Sequence, residues 1–190
     1  MVVNQTAAKI LTVAQDLLQR KGFNGFSYRD LATEIGIKTS SIHYYFPTKD
    51  DLALNLVRNY RNLFQAELQK ISLQDTTPTQ KLTYYVRLYG HNIEQANKFC
   101  LCGMLAAEIS ALSLEVKQEV QLFFQDNESW LQQLIDRGKQ QGEFHSDRSS
   151  RLLATQLIAT LEGAMLVART SEQPAANFHC VAETAMASLR

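Results

Sequence analysis

The stretch GFNGFSYRDLATEIGIKTSSIHYYFPTKDDL, residues 22–52, is dense with helix stop and start signals, and these constrain the chain more than any other feature. Gly22 suits the left-handed C-terminal cap of a preceding helix. Ser27-Tyr28-Arg29-Asp30 reads as a capping box, in which the serine and the acid satisfy free amides at a helix start. Gly36 stops the helix so begun, and Pro47 stops the next one. Thr48-Lys49-Asp50-Asp51 is a second capping box that opens a longer helix. Two short helices around a tight glycine turn, with supporting helices before and after, are the only elements that fit between these stops.

The same signals divide the rest of the chain into helices. The first is expected from about Asn4 or Thr6 to Arg20, with Ile10, Ala14, Leu17 and Leu18 as one apolar stripe. The helix after Thr48 runs through Leu52, Leu56, Tyr60, Leu63 and Phe64, and the polar residues 72–79 mark a linker. Thr77-Pro78-Thr79-Gln80 places proline at a first helical position and glutamine at the box position. Five further helices are expected at roughly 78–97, 101–111, 114–140, 147–170 and 175–189, separated by Gly142, by His145-Ser146-Asp147 and by Pro174. Strand alternation and internal repeats are absent from the sequence, and only 8 Gly and 3 Pro interrupt it, so the fold class is all-α. The predicted organisation is a helix-turn-helix domain over 1–50 and a larger helical bundle over 51–190.

If Ile42 and Phe46 are the buried side of the third helix, Ser40 and Tyr44 point most directly outward, flanked by Ser41 and His43. Small polar groups at one end let a helix approach the floor of a major groove, while hydroxyls, imidazole and lysine can reach phosphate oxygens. A polar surface helix is the plainer reading for such a segment in isolation. The ordered set of cap, short helix, glycine turn, short helix, proline break and lysine-bearing cap favours DNA.

Residues 10–52 resemble the DNA-binding domain of the TetR family of bacterial transcriptional repressors, through FSYRDLATEIGIKTSSIHYYFPTKDDL. The resemblance lies in the Gly-hydrophobic turn, the Tyr-aromatic-aromatic-Phe end and the following Lys-acid-acid-Leu. It implies that Lys38, Thr39, Ser40 and Ser41 face the bases, and that Ser27, Tyr28, Arg29, His43, Tyr45 and Lys49 contact phosphates, with Tyr44 able to do either. Lys38, Ser40 and His43 depart from the family's usual Ser, Gly and Tyr, so the resemblance implies no operator sequence. It further implies a homodimer on double-stranded operator DNA and a small-molecule effector. Recognition helices of a dimer would stand about 34–36 Å apart.

Small residues concentrate in the last two predicted helices: Ala154, Ala159, Gly163, Ala164 and Ala168, then Ala182, Ala185 and Ala187. In the resembling family these two helices form a four-helix dimer interface; an intrachain core would use small residues as well. In helix 114–140 the stripe Val116, Val120, Phe123, Leu131 and Leu134 has Asn127 at its angular centre. A buried amide without partners costs about 1–3 kcal/mol, so Asn127 either bonds a neighbouring helix or anchors a ligand in an apolar cavity. Tyr85, Leu88, Tyr89 and Asn92 make a similar mixed face on the helix that lines the family's pocket, with Phe124, Trp130 and Met165 as candidate walls.

FCLCGMLAAEIS, residues 99–110, and LEGAMLVARTS, residues 161–171, are similar to the TetR branch that includes N-ethylmaleimide reductase repressors. By that resemblance Cys100 would sense electrophiles or oxidants, although the expected basic lysine is Arg169 here. The alternative function is therefore a thiol-based sensor on the same DNA-binding scaffold, and a remoter one is a helical protein-binding adaptor.

No phosphate-binding glycine loop, nucleophile elbow or His/acid metal motif occurs, so no catalytic residue, metal or cofactor is expected. The three cysteines match no disulfide or zinc framework, so a reducing cytoplasm is the expected location. The N-terminal segment is amphipathic and reads as no secretion signal. Gln156 and Glu162 interrupt the most apolar stretch, so no membrane-spanning segment of about 18 residues is expected.

Overall fold

The computed structural model describes residues 5–94 and 98–189. Among them lie nine α-helices and no strand: α1 Gln5–Lys21, α2 Tyr28–Ile35, α3 Thr39–Tyr45, α4 Lys49–Leu73, α5 Pro78–Glu94, α6 Leu101–Ala107, α7 Leu114–Gln140, α8 Ser150–Ala168 and α9 Pro174–Ala187. The predicted helix 101–111 divides into α6 and a separate 3-10 turn, Ile109–Ala111. The expected linker starts two residues too early, because Ser72 and Leu73 still belong to α4. Residues 95–97 of the predicted helix 78–97, and Asn4 of the first, lie outside the described residues.

The capping signals do locally what their chemistry requires. Ser27 Oγ accepts from the Asp30 amide, and the Asp30 carboxylate accepts from the Ser27 amide. Thr48 and Asp51 repeat the pattern, with amide-to-side-chain distances of 2.9 and 3.1 Å. Thr77 and Gln80 repeat it again at the start of α5. Gly36 caps α2 at φ +79°, a left-handed conformation that L side chains rarely adopt.

The chain packs as two compact units. The first comprises residues 1–62 and 100–122, so α6 and the start of α7 belong with the helix-turn-helix. Its core joins Ile10, Ala14 and Leu18 of α1 to Leu31 of α2, Ile42 of α3, Leu52 and Leu56 of α4, and Leu101 and Leu105 of α6, all essentially excluded from solvent. The second comprises residues 63–99 and 123–190. There α9 packs on α8 and α5 through Phe178 and Ala182, while Leu153, Leu157, Leu161 and Ala164 form the inner face of α8.

One expectation is corrected in this second unit. Helix α8, Ser150–Ala168, is long and apolar enough to cross a membrane by length and composition, despite Gln156 and Glu162. Those two residues dilute its apolar character without breaking it. Its buried residues repeat with the helical period and face α9 and α5.

Candidate nucleic-acid interface and effector pocket

Helix α3 is seven residues long and owes its orientation to two apolar side chains, Ile42 and Phe46, both buried. With those fixed inward, the helical period turns Ser40, His43 and Tyr44 outward, and Tyr44 is 80% exposed. Tyr44 and Tyr45 meet edge to face at 5.0 Å. Ser40, Ser41, Tyr44 and Tyr45 line an open depression of about 450 Å³ together with Ile37 and, from α1, Thr6. Lys38 precedes the first turn, makes no side-chain cap bond and is exposed. His43 Nδ1 lies 3.1 Å from the Pro47 carbonyl, which requires the proton on Nδ1 and leaves Nε2 for another partner. Arg29 is exposed at the start of α2, and Thr39 is half-buried.

Three of the residues assigned to phosphate already have hydrogen-bond partners within the chain. Tyr28 is buried, and its hydroxyl donates to the carbonyls of Phe46, at 2.9 Å, and Thr48, at 2.5 Å. Burial, with Asp51 nearby, pushes its phenol well above the usual range, so it stays a neutral donor. Lys49 donates to the Phe26 carbonyl, and its ammonium sits over the rings of Phe26 and Phe23, 4.4 and 4.8 Å from their centres. Desolvation lowers its pKa, against the opposing pull of Glu108 and Asp30. Ser27 spends its hydroxyl proton on Asp30 at 2.7 Å. Tyr28 and Lys49 thus help to hold the motif together, while Arg29, Lys38, Ser40, His43 and Tyr44 are exposed.

Most of the predicted effector residues fall in the second unit, where four of them form one cluster. Tyr85, Tyr89, Phe123 and Asn127 are all buried. The Tyr85 hydroxyl donates to Asn127 Oδ1 at 3.0 Å and lies 3.3 Å from the Tyr89 hydroxyl, while Asn127 Nδ2 donates to the Phe123 carbonyl at 2.8 Å. The amide therefore has internal partners, one of them on the neighbouring helix α5. Trp130 stacks on Tyr85 at 5.5 Å and 17°, and its Nε1 donates to Ser72 Oγ at 2.8 Å. Phe64, outside the candidate set, meets Tyr85, Tyr89 and Phe123 edge to face at 6.2, 6.0 and 5.2 Å. Its place in the α4 stripe four residues after Tyr60 was the available signal.

Trp130 also borders an open depression of about 270 Å³ whose other walls are Gln65, Leu68, Gln69, Asp126, Ser129 and Gln133. Gln65 Nε2 donates to Asp126 Oδ2 there at 2.6 Å. Leu88, Asn92 and Phe124 are half-buried, and Met165 is buried in α8. Cys100 belongs to the first unit, preceding α6, and is 1% exposed. Cys102 is buried as well, whereas Cys180 on α9 is exposed. Arg169, the basic residue considered as a thiol partner, has its guanidinium 4.6 Å from the centre of the Phe99 ring. No cluster of His, Cys, Asp and Glu able to hold a metal occurs among the described residues.

With this geometry in place, similarity to known proteins becomes informative. Residues 10–56 match the family model of bacterial regulatory proteins, tetR family, and residues 78–183 match that of the tetracyclin repressor-like C-terminal domain. The crystal structure of a TetR family transcriptional regulator from Agrobacterium tumefaciens superposes with a TM-score of 0.92, at 34% identity and covering 97% of each chain. An uncharacterized HTH-type transcriptional regulator from Lactococcus lactis subsp. lactis is 27% identical over 127 residues, 65% of either chain, so this chain spans just under two thirds of that relative. The HTH-type transcriptional repressor DhaR of Mycobacterium sp. (strain GP1) is 24% identical over 148 residues, 77% of this chain and 73% of that one.

Proposed function

The chain belongs to the tetR family of bacterial regulatory proteins, DNA-binding transcriptional regulators of helix-turn-helix type, and from that membership we propose that it is a homodimeric repressor released from its operator by a small apolar or aromatic effector. The observation that carries the DNA-binding part is the exposed face of α3. Its hydroxyls, imidazole and Tyr44 project outward while Ile42 and Phe46 hold the helix to the core. Residues 1–50 serve as the reading head, and residues 51–190 bind the effector and the second subunit. The relatives are transcriptional regulators, not enzymes. A cytoplasmic location follows from a target that is chromosomal DNA.

Dimerisation is supported by α8. At 100° per residue, Leu152, Ala159, Gly163 and Leu166 fall within a narrow arc opposite the inner face, and all four are exposed. A side chain added at Gly163 would meet open space. An apolar, small-residue stripe of this kind is what a second copy of the helix packs against. The depression beside Trp130 offers one aromatic ring and Leu68 to a flat effector, with the amides of Gln65, Gln69 and Gln133 to orient it.

The test is binding of the purified protein to an operator recovered from a random-sequence pool, followed by fluorescence anisotropy across a salt series. Specific binding that weakens steeply as salt rises is expected, because each neutralised phosphate releases counterions. A chain that enriches no sequence and shows no salt-dependent binding would leave the protein-binding adaptor as the better reading.

A further inference from the structure

Glu108 stands just after the last residue of α6, half-buried, and its carboxylate reaches the turn between α1 and α2. Oε1 accepts from the Phe23 amide at 2.7 Å, and Oε2 accepts from the Asn24 amide at 2.9 Å and from Asn24 Nδ2 at 2.5 Å. Gly22 makes the approach possible. It sits at φ +85°, and a Cβ there would lie 2.3 Å from Glu108 Oε1. A carboxylate gripping two successive backbone amides and a side-chain amide is a charge-assisted clamp, not a passing surface contact.

The clamped turn is continuous with the recognition helix through bonds already described. The Phe26 carbonyl takes the Lys49 ammonium, whose buried charge Glu108 also helps to balance. Tyr28, two residues on, donates to the carbonyls of Phe46 and Thr48 at the end of α3. Helix α1 packs on α2, α3 and α6. We propose that Glu108 is a positioning residue for DNA recognition: its carboxylate latches the α1–α2 turn to α6 and so seats α3 for operator binding. The inference rests on the DNA-binding reading above.

The sign of the effect separates this role from general electrostatics. Removing a negative charge from a DNA-binding unit ordinarily tightens DNA binding. The latch requires the opposite, because Glu108→Gln turns an amide NH₂ toward N–H donors. On the selected operator, Glu108→Gln is expected to bind about tenfold or more weakly with an unchanged salt slope, since Glu108 itself neutralises no phosphate. Hydrogen exchange at the Phe23 and Asn24 amides should accelerate, while amides in the α8–α9 pair keep wild-type protection. Asn24→Ala removes only the exposed third bond and should weaken operator binding by a smaller factor, covering the case in which Glu108→Gln fails to fold. Operator affinity equal to or tighter than wild type in a folded Glu108→Gln, or in Asn24→Ala should that variant alone fold, overturns the latch. A wild-type protein that selects no DNA overturns the DNA-binding reading instead, and takes the latch with it before any variant is made.

Discussion

Helix α3 and the Tyr85–Asn127 cluster both place polar groups where an apolar stripe would be the simpler solution, yet they use them in opposite ways. On α3, Ser40, His43 and Tyr44 are exposed, with hydrogen-bonding capacity directed at solvent. In the cluster, Tyr85, Tyr89 and Asn127 are buried and bond one another and the Phe123 carbonyl. The first arrangement costs the fold little and awaits a partner. The second contributes to the fold, because each group removed would leave another unsatisfied. Polar residues on a helix are thus informative about binding only once their partners are known.

The largest effect expected from this contrast is on stability. Asn127→Leu keeps approximate volume but strips the Tyr85 hydroxyl of its amide acceptor, and should destabilise the chain by about 2–3 kcal/mol. Denaturant melts would measure it. Operator affinity at a temperature where the variant is folded should stay near wild type. Unchanged stability would instead mean that the amide is poised for a ligand, and the contrast between the two regions would collapse.

Tyr44→Ala should behave the other way. Its side chain is 80% exposed, so melting should be unaffected, while operator affinity should fall by about 1–2 kcal/mol, roughly five- to thirtyfold. Anisotropy and a thermal melt on the same preparation would decide it. Loss of stability with retained DNA binding would place Tyr44 among the packing residues. A third check concerns the thiols. Electrophile labelling followed by mass mapping should find Cys180 modified first, since Cys100 and Cys102 are buried. Faster labelling at Cys100 would favour the electrophile-sensing alternative.

What could be read from the sequence divides along the same line. Helix boundaries from Gly22 to Asp51 were legible because capping is local chemistry: Ser27 finds Asp30, and Thr48 finds Asp51, three residues away. The outward direction of Ser40 and Tyr44 followed from Ile42 and Phe46 by helical period alone. Residue roles that depend on distant partners were not legible. The bonds of Tyr28 and Lys49 to carbonyls 18 to 23 residues away are of this kind. The α4 stripe turns Phe64 inward, but its partners on α5 and α7 lie beyond any local spacing, and the assignment of α6 to the helix-turn-helix unit depends on packing across some forty residues of intervening chain.

Ser27 tests the smallest part of the contrast, because it lies on the DNA-binding side with its hydroxyl already spent. If it is a cap rather than a phosphate ligand, Ser27→Ala should cost about 1 kcal/mol of stability and alter operator affinity only slightly. The pH dependence sharpens this. The Ser27 side-chain and backbone hydrogen bonds hold the Asp30 carboxyl below the usual carboxylate range. A carboxyl depressed by folding binds protons more readily in the unfolded chain. Its contribution is therefore fully present above the ordinary carboxylate range and is lost as pH falls through the depressed value. Wild type should lose stability more steeply on acidification than Ser27→Ala, the gap narrowing at the acid end, where Asp30 is protonated in both and only the bond from the Asp30 amide to Ser27 Oγ still separates them. Parallel curves would mean that the Ser27–Asp30 pair does not stabilise the start of α2, and Ser27 would return to the set of residues available for phosphate.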